Sequence, residues 1–285
     1  MNLELNQIEY AALQIGLIDS GERDIFLKKV NTDDQVDIKL LCDGDVTGVY
    51  FSCFFYGDSR VHVAISCSED TDRYNEEISS CVLSSLEKTK LSSCSIWIRN
   101  ENKKVIQYLK ERFHIKPDCG NHYYASIEFI MRREQMKATT LNGLEIRTYE
   151  EKYIDDYLQL LDESMTFTDP PPNYRGNKEH YLQYFGERNK NKSFESFYKD
   201  NQLIGLYWRK NAEIDTLAIA TNSQRKGYGS ILLTRAIQMI FKNTDSEYAY
   251  LYALDWNEKG QNFYTKYGME QNSHSYRLCL KIPEL

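Results

Sequence analysis

Gly227 and Gly229 stand two apart in the stretch QRKGYGS, with Arg225 and Lys226 before them and Ser230 after. Glycine lets backbone amides approach a ligand closely, and a helix N-terminus offers unpaired N–H groups carrying partial positive charge. The two basic side chains add whole charges, and the serine adds a hydroxyl. This is the equipment a phosphate or pyrophosphate needs. The same residues also describe an ordinary strand-to-helix turn with solvated basic side chains. Two other phosphate loops are excluded by position. The pattern G-x-x-x-x-G-K-[ST] is absent, and the third glycine of a dinucleotide fingerprint falls at Leu232.

The flanking elements must hold this loop in place. Before it, AEIDTLAIA (212–220) is short, alternating and rich in strand formers; after it, Ile231, Leu232, Ala236, Ile237 and Ile240 recur at helical spacing. The rest of the second half continues in that manner. A strand at 144–149 leads into an amphipathic helix at 151–165, and a second helix follows at 177–190. Between them the three prolines of TDPPPNYRG remove amide donors and forbid helix. A hairpin turns at Asp200-Asn201, a strand is expected at 248–256 and a helix at EKGQNFYTKYG, and SYRLCLKI (275–282) reads as the closing strand.

The first half patterns separately. A helical stretch within 1–28 precedes strands at 36–42, 47–56 and 60–67, the first two joined by the hairpin turn DGD. A helix at 73–89, a strand at 94–99, a helix at 102–113 and a strand at 122–133 follow. The polar stretch EQMKATTLNG ends in Asn-Gly and separates the halves, which gives domains at 1–135 and 144–285 with a linker at 136–143. Strands alternating with helices after an antiparallel start predict a mixed-sheet α/β fold. SIWIRNENKKVIQYLKERF and LYALDWNEKGQNFYTKYGM repeat one plan, strand, Asn-containing turn and helix, which suggests that the halves echo each other.

Composition narrows the function classes. A chain of 285 residues with 41% hydrophobic and 27% charged content describes a globular protein without an apolar run long enough to span a membrane. The start MNLELNQIEY has no basic region followed by an apolar one, so no secretory signal is expected. A net charge of −7 offers no general attraction to nucleic acid or anionic lipid. Seven scattered cysteines without a C-x-x-C pair suit buried thiols in a reducing cytoplasm, and the five histidines lack metal-ligand spacing. A cytoplasmic protein with no metal, nucleic-acid or membrane partner is expected.

LAIATNSQRKGYGSILL resembles motif A of the GNAT superfamily of N-acetyltransferases, with Gln224, Gly227 and Gly229 at the defining places of Q/R-x-x-G-x-G/A. The downstream segment is similar too, with Asn257, Phe263, Tyr264 and Gly268 matching the family's strand–Asn–helix unit. Two motifs in the correct order are far more specific than one. Thr221 departs from a frequent proline, and Gly260 from a frequent alanine.

The resemblance covers roughly 144–282 and implies acetyl-CoA as co-substrate, with no metal. The backbone of Leu217, Ala218 and Ile219 is then expected to pair with the pantetheine arm. The amides of Arg225, Lys226, Gly227, Tyr228, Gly229 and Ser230, with Gln224 and Asn257 alongside, are expected to hold the rest of the cofactor. A backbone amide near the thioester carbonyl stabilises the developing oxyanion. Tyr264 matches the family's general acid toward the departing thiolate. A lysine-like amine is neutral only about once in 2,500 molecules at pH 7, so a base is useful, and Glu213 and Asp215 are the candidates.

If the first half shares this fold it is degenerate. Its counterpart of the glycine loop, SCSEDTDRYNEEISS, is acidic and lacks glycine, and aligning Asn102 with Asn257 puts Leu109 opposite Tyr264. Residues 1–135 are therefore expected to buttress the second half or wall its acceptor cleft. In this family the acceptor is recognised largely by the region that here reads TFTDPPPNYRG, with Asp169, Tyr174 and Arg175 as polar contacts, although a structural linker fits equally. The leading expectation is acetyl transfer to a primary amine of a small molecule or peptide. A non-catalytic acyl-CoA-binding protein of the same fold stands beside it. A transferase using charged tRNA is disfavoured by the intact loop and the acidic charge.

Overall fold

The computed structural model describes residues 4–30, 36–54, 60–115, 122–138, 140–141, 143–166, 172–190 and 192–281. The chain forms two compact units. The first comprises Met1–Glu128, Ala253–Trp256 and Asn272–Leu285; the second comprises Phe129–Tyr252 and Asn257–Gln271. Asp169 and most of the proline run lie outside the described residues.

The first unit opens with helices α1 (Leu5–Gly16) and α2 (Ser20–Val30), where the sequence pattern predicts one helical stretch. Strands β1 (Asp37–Asp43) and β2 (Asp45–Cys53) form the expected hairpin, turning on Gly44 at φ +79°. Strand β3 (Val61–Cys67) pairs antiparallel with β2, and helix α3 (Asn75–Thr89) carries the chain to β4 (Ser93–Arg99). Strands β3 and β4 are parallel over five residue pairs, from Val61–Cys94 to Ile65–Ile98. Helix α4 (Lys103–Arg112) and strand β5 (His122–Arg132) complete this half. The helices bury Ile78, Val82, Leu86, Val105 and Leu109 against the β3 and β4 side chains, as their helical spacing requires.

In the second unit, β6 (Glu145–Arg147) and α5 (Ile154–Ser164) precede α6 (Lys178–Lys190). Strands β7 (Phe194–Lys199) and β8 (Gln202–Lys210) form the predicted hairpin, with Asp200 and Asn201 at φ +50° and +62°. Strand β9 (Glu213–Ile219), helix α7 (Tyr228–Asn243), strand β10 (Tyr248–Leu254) and helix α8 (Glu258–Tyr267) follow. The strand order is β6-β7-β8-β9-β10, with the Phe129–Arg132 end of β5 beyond β10. Helices α5 and α6 cover one face with Tyr157, Leu161 and Phe185 against Phe194, Leu206, Trp208 and Ala218. Helix α7 takes a different approach to β8, and Gly205 makes room for it. A Cβ there would meet the Ala218 carbonyl at 2.6 Å and the Leu232 side chain at 2.9 Å.

The last strand, β11 (Glu270–Lys281), is where the sequence pattern expects one, but it does not close the second half. Its residues pair antiparallel with β4, from Ser275–Arg99 to Lys281–Ser93, and Asn272–Leu285 belong to the first unit. Alternation of side chains identifies a strand; it carries no information about which partner the strand will find. The predicted linker is likewise tied down, because Lys137 donates to the Tyr267 carbonyl and its own carbonyl accepts from Gln238 at 3.0 Å. Cys42, Cys67, Cys81 and Cys94 are free thiols, and burial pushes the Cys67 thiol up to about 11, so it stays an unreactive thiol at neutral pH.

Candidate active site

The site lies within the second unit, where two parallel strands part. Strands β9 and β10 share a single bridge, Tyr250 to Glu213, backed by the Tyr250 amide donating to the Ala212 carbonyl at 3.0 Å. Beyond it β9 runs on to Ile219 with β8 on one side, while its other edge has no ladder partner among the described residues. The backbone of Leu217, Ala218 and Ile219 therefore presents an open strand edge, to which an extended ligand can add as a strand would.

At the end of that edge the chain makes a short 3-10 turn over Thr221–Ser223 and enters the glycine loop. Arg225 takes φ +59° and Gly227 φ +85°, and Gly227 caps α7 through its backbone alone. The first backbone bond into the helix is Ile231 to the Gly227 carbonyl, at 3.4 Å. Among the described residues the amides of Arg225, Lys226, Gly227, Tyr228, Gly229 and Ser230 donate to no protein acceptor. Left-handed backbone at Arg225 and Gly227, directly before a helix start, turns nearby amides outward toward a common ligand, as in an anion nest. Arg225, Lys226 and Ser230 are exposed beside it. A pyrophosphate fits this donor set.

Several side chains hold the loop. Gln224 donates to the Ile219 carbonyl at 3.2 Å, which ties the loop to the end of β9. Gly229 packs beneath α8, since a Cβ there would sit 3.3 Å from the Phe263 ring. Lys199 donates to the Tyr228 hydroxyl at 3.3 Å. Helix α7 is fixed behind the loop by Arg235, which makes two bonds to Glu195 at 2.8 and 2.9 Å. Glu195 is buried and also accepts from Tyr207 at 2.5 Å. At the far end of α7 the Arg133 guanidinium donates to the carbonyls of Phe241, Thr244 and Ser246 at 2.7–3.1 Å. Of these five anchors, only Gln224 and Gly229 have a signature in the sequence.

Helix α8 carries the other predicted residues. Asn257 is its N-cap, accepting from the Gly260 amide at 3.1 Å. A Cβ at Gly260 would lie 2.6 Å from the Asn257 amide nitrogen, so the glycine makes room for the cap. Tyr264 sits one face along, its ring 5.5 Å from Phe129 and 5.3 Å from Phe263. Burial pushes its phenol up to about 12. Among the described residues nothing hydrogen-bonds its hydroxyl, and part of the side chain remains exposed. A neutral phenol held ready without a protein partner can give its hydrogen bond to a ligand.

The two carboxylates on β9 have different surroundings. Glu213 is half-buried at the bridge where the strands part. Asp215 is the extra residue of a β-bulge, because Trp208 faces Thr216 while the next residue, Arg209, faces Ile214. Bulges re-aim side chains and cluster beside active sites. Here the Asp215 carboxylate is exposed and accepts from the Tyr184 hydroxyl of α6 at 2.8 Å. The sequence offers no sign of this bulge.

Comparison with known proteins agrees with the geometry. The family model described as "Acetyltransferase (GNAT) family" matches residues 154–269. No curated protein matches the sequence. Among solved structures the chain is similar to a Drosophila protein at TM-score 0.58 and 12% identity, covering 98% of this chain and 97% of that one. It is also similar to a GCN5-related N-acetyltransferase from Sphaerobacter thermophilus, at TM-score 0.57 and 11% identity over 97% and 91% of the two chains. A tandem GNAT protein from the clavulanic acid biosynthesis pathway matches at TM-score 0.50 and 8% identity, covering 98% of this chain and 96% of that one. At such identities these likenesses establish the fold. Among the described residues no three His, Cys, Asp or Glu side chains are grouped to hold a metal ion, and no helix is long and apolar enough to cross a membrane.

Proposed function

We propose that the second unit, whose residues 154–269 match the acetyltransferase (GNAT) family model, transfers the acetyl group of acetyl-CoA to a primary amine of a small molecule or peptide. The observation that carries this is the conjunction of one open strand edge with six unpaired amides at the start of α7. Acetyl-CoA supplies an activated thioester and a thiolate leaving group. The chain supplies the rest. Leu217–Ile219 align the pantetheine arm, the amides of 225–230 hold the pyrophosphate, and Arg225 and Lys226 add charge. Amides freed by the parting of β9 and β10 stabilise negative charge on the carbonyl oxygen as the amine attacks.

Glu213, at the parting point, is the better placed of the two carboxylates to take the amine's proton, directly or through water. Tyr264 donates a hydrogen bond to the departing sulfur. Full proton transfer is unfavourable: with the phenol near 12 and a thiol near 8.5, it runs uphill by about 5 kcal/mol. A bond that tightens as thiolate charge grows needs no such step.

The first unit is proposed to lack this chemistry. Its parallel pair β3–β4 stays laddered over five residue pairs, so the opening between β9 and β10 has no counterpart. Asn102, opposite Asn257 in the sequence echo, has its side chain engaged by the Cys67 amide and the carbonyls of Cys67 and Glu69. The loop it holds is acidic. On this reading residues 1–135 support residues 144–285 in a cytoplasmic enzyme.

The test is thermal stability with and without acetyl-CoA, followed by thiol release across an amine panel. Ligand at 100 times its Kd stabilises by about 2.7 kcal/mol, a shift of roughly 5 °C if the whole chain unfolds together and about 9 °C if the second unit unfolds alone. Absence of any shift rejects the cofactor. A shift without turnover on any amine leaves a binding protein in place of an enzyme.

A further inference from the structure

Helices α7 and α8, which carry the glycine loop and Tyr264, are tied together by a strap that acetyl transfer does not by itself require. Tyr267 lies one turn beyond Tyr264 on α8, and its buried hydroxyl meets the Thr234 Oγ1 of α7 at 2.7 Å. Thr234 gives its one O–H to the Ser230 carbonyl at 2.7 Å, so Tyr267 is the donor between the two hydroxyls. Tyr267 is held from its other side as well. Lys137 donates to the Tyr267 carbonyl, its ammonium lies 4.2 Å from the centre of the Tyr267 ring, and its own carbonyl accepts from Gln238 of α7 at 3.0 Å. A helix leaves its last carbonyls without intrahelical partners, and a cation there also complements the helix dipole. Gly268 leaves the ammonium its place: it stands at φ +103°, and a Cβ there would come within 3.3 Å of the Lys137 Nζ.

The start of α7 is loosely closed. Its first backbone bond, Ile231 to Gly227, is 3.4 Å long, beyond the usual range for such a bond. An anion gathered by the amides of 225–230 draws this turn together, and a ligand shifts a structure only through such a difference between free and bound forms. The contacts from Ser230 through Thr234 to Tyr267 carry that ordering into α8, where the amides of Gly268 and Met269 bond to the Tyr264 carbonyl at 3.1 and 3.0 Å. Because Lys137 holds the Tyr267 carbonyl and covers its ring, a shift at the hydroxyl moves the helix rather than the side chain alone. We propose that Tyr267 is a positioning residue, coupling occupation of the glycine loop by pyrophosphate to the placement of Tyr264. Binding at the remote end of the cofactor then orders the group that meets the sulfur. This deepens the reading of the second unit as an acetyl-CoA enzyme and rests on it.

The test is amide hydrogen exchange on the full chain with inorganic pyrophosphate as the probe, because it fills the loop without an arm that could reach Tyr264. Exchange is read over 225–234 and separately over 258–269. In wild type, saturating pyrophosphate should slow exchange by about tenfold or more in both segments. Tyr267→Phe keeps the Thr234 bond to Ser230 and strands no buried donor. In that variant the loop should still be protected, while α8 should change by less than about twofold. Protection confined to the loop in wild type, or α8 protection that survives Tyr267→Phe, would overturn the coupling. A merely structural role for Tyr267 would change exchange with and without the probe alike, and would not remove the response of α8 to it. Thr234→Val cuts the same link from α7 and should behave as Tyr267→Phe does; it decides the matter if that chain fails to fold. A loop protected by neither pyrophosphate nor CoA would remove the donor site itself. Failure of the acetyl-CoA reading is thus seen at 225–230, and failure of the coupling at 258–269.

Discussion

Replacing Tyr264 with phenylalanine removes one oxygen and leaves the ring between Phe129 and Phe263. The hydroxyl has no protein hydrogen bond among the described residues, so stability at neutral pH should change by less than about 0.5 kcal/mol. What is lost is the bond to the leaving sulfur. Hydrogen bonds to charged groups contribute about 1.5–3 kcal/mol, which corresponds to a fall in kcat of roughly 10- to 150-fold. The bond strengthens only as charge develops, so KM for acetyl-CoA should move less than about twofold. The assay is steady-state thiol release at saturating amine, with melting temperature measured on the same samples. An unchanged kcat would reduce Tyr264 to a packing residue. A rise in KM at constant kcat would make it a ground-state binding group, and either result refutes the leaving-group role.

Three further outcomes follow from the geometry. Wild type and Tyr264→Phe should match below pH 10 and diverge above it: burial raises the phenol from near 10 to about 12, so the folded chain disfavours the phenolate and wild type loses stability as pH rises from 10 toward 12. Denaturation across that range should show wild type losing up to about 2–3 kcal/mol relative to the variant. Gly205→Ala should destabilise by about 1–3 kcal/mol in urea unfolding, because its Cβ meets the Ala218 carbonyl, backbone that cannot swing aside. Glu195→Gln should cost about 1–3 kcal/mol, less than a fully buried pair, since the Arg235 side chain is 30% exposed. It should also weaken acetyl-CoA binding by loosening α7 behind the loop.

Much of the fold was legible because it rests on local signals. The helical spacing of Ile231 to Ile240, the Asp200-Asn201 turn and the DGD turn each specify their own element. The glycine loop was legible for the same reason, since its chemistry is written in consecutive residues. Long-range features were not. The partner of β11, the bulge at Asp215 and the anchoring of α7 by Glu195 and Arg133 each depend on residues brought together only by folding. Asp215 illustrates the limit: its residue type and strand position suggested a base, while its contact with Tyr184 is set by one inserted residue that no periodicity announces.

The central claim is that one acetyl-CoA binds per chain, at the start of α7. Calorimetric titration tests it directly, with Gly229→Val as the control, because a branched side chain there projects toward Phe263, whose ring would already lie 3.3 Å from a Cβ. The account predicts a single site in the wild type and none in the variant. Absence of binding, two sites per chain, or a site indifferent to Gly229→Val would contradict it.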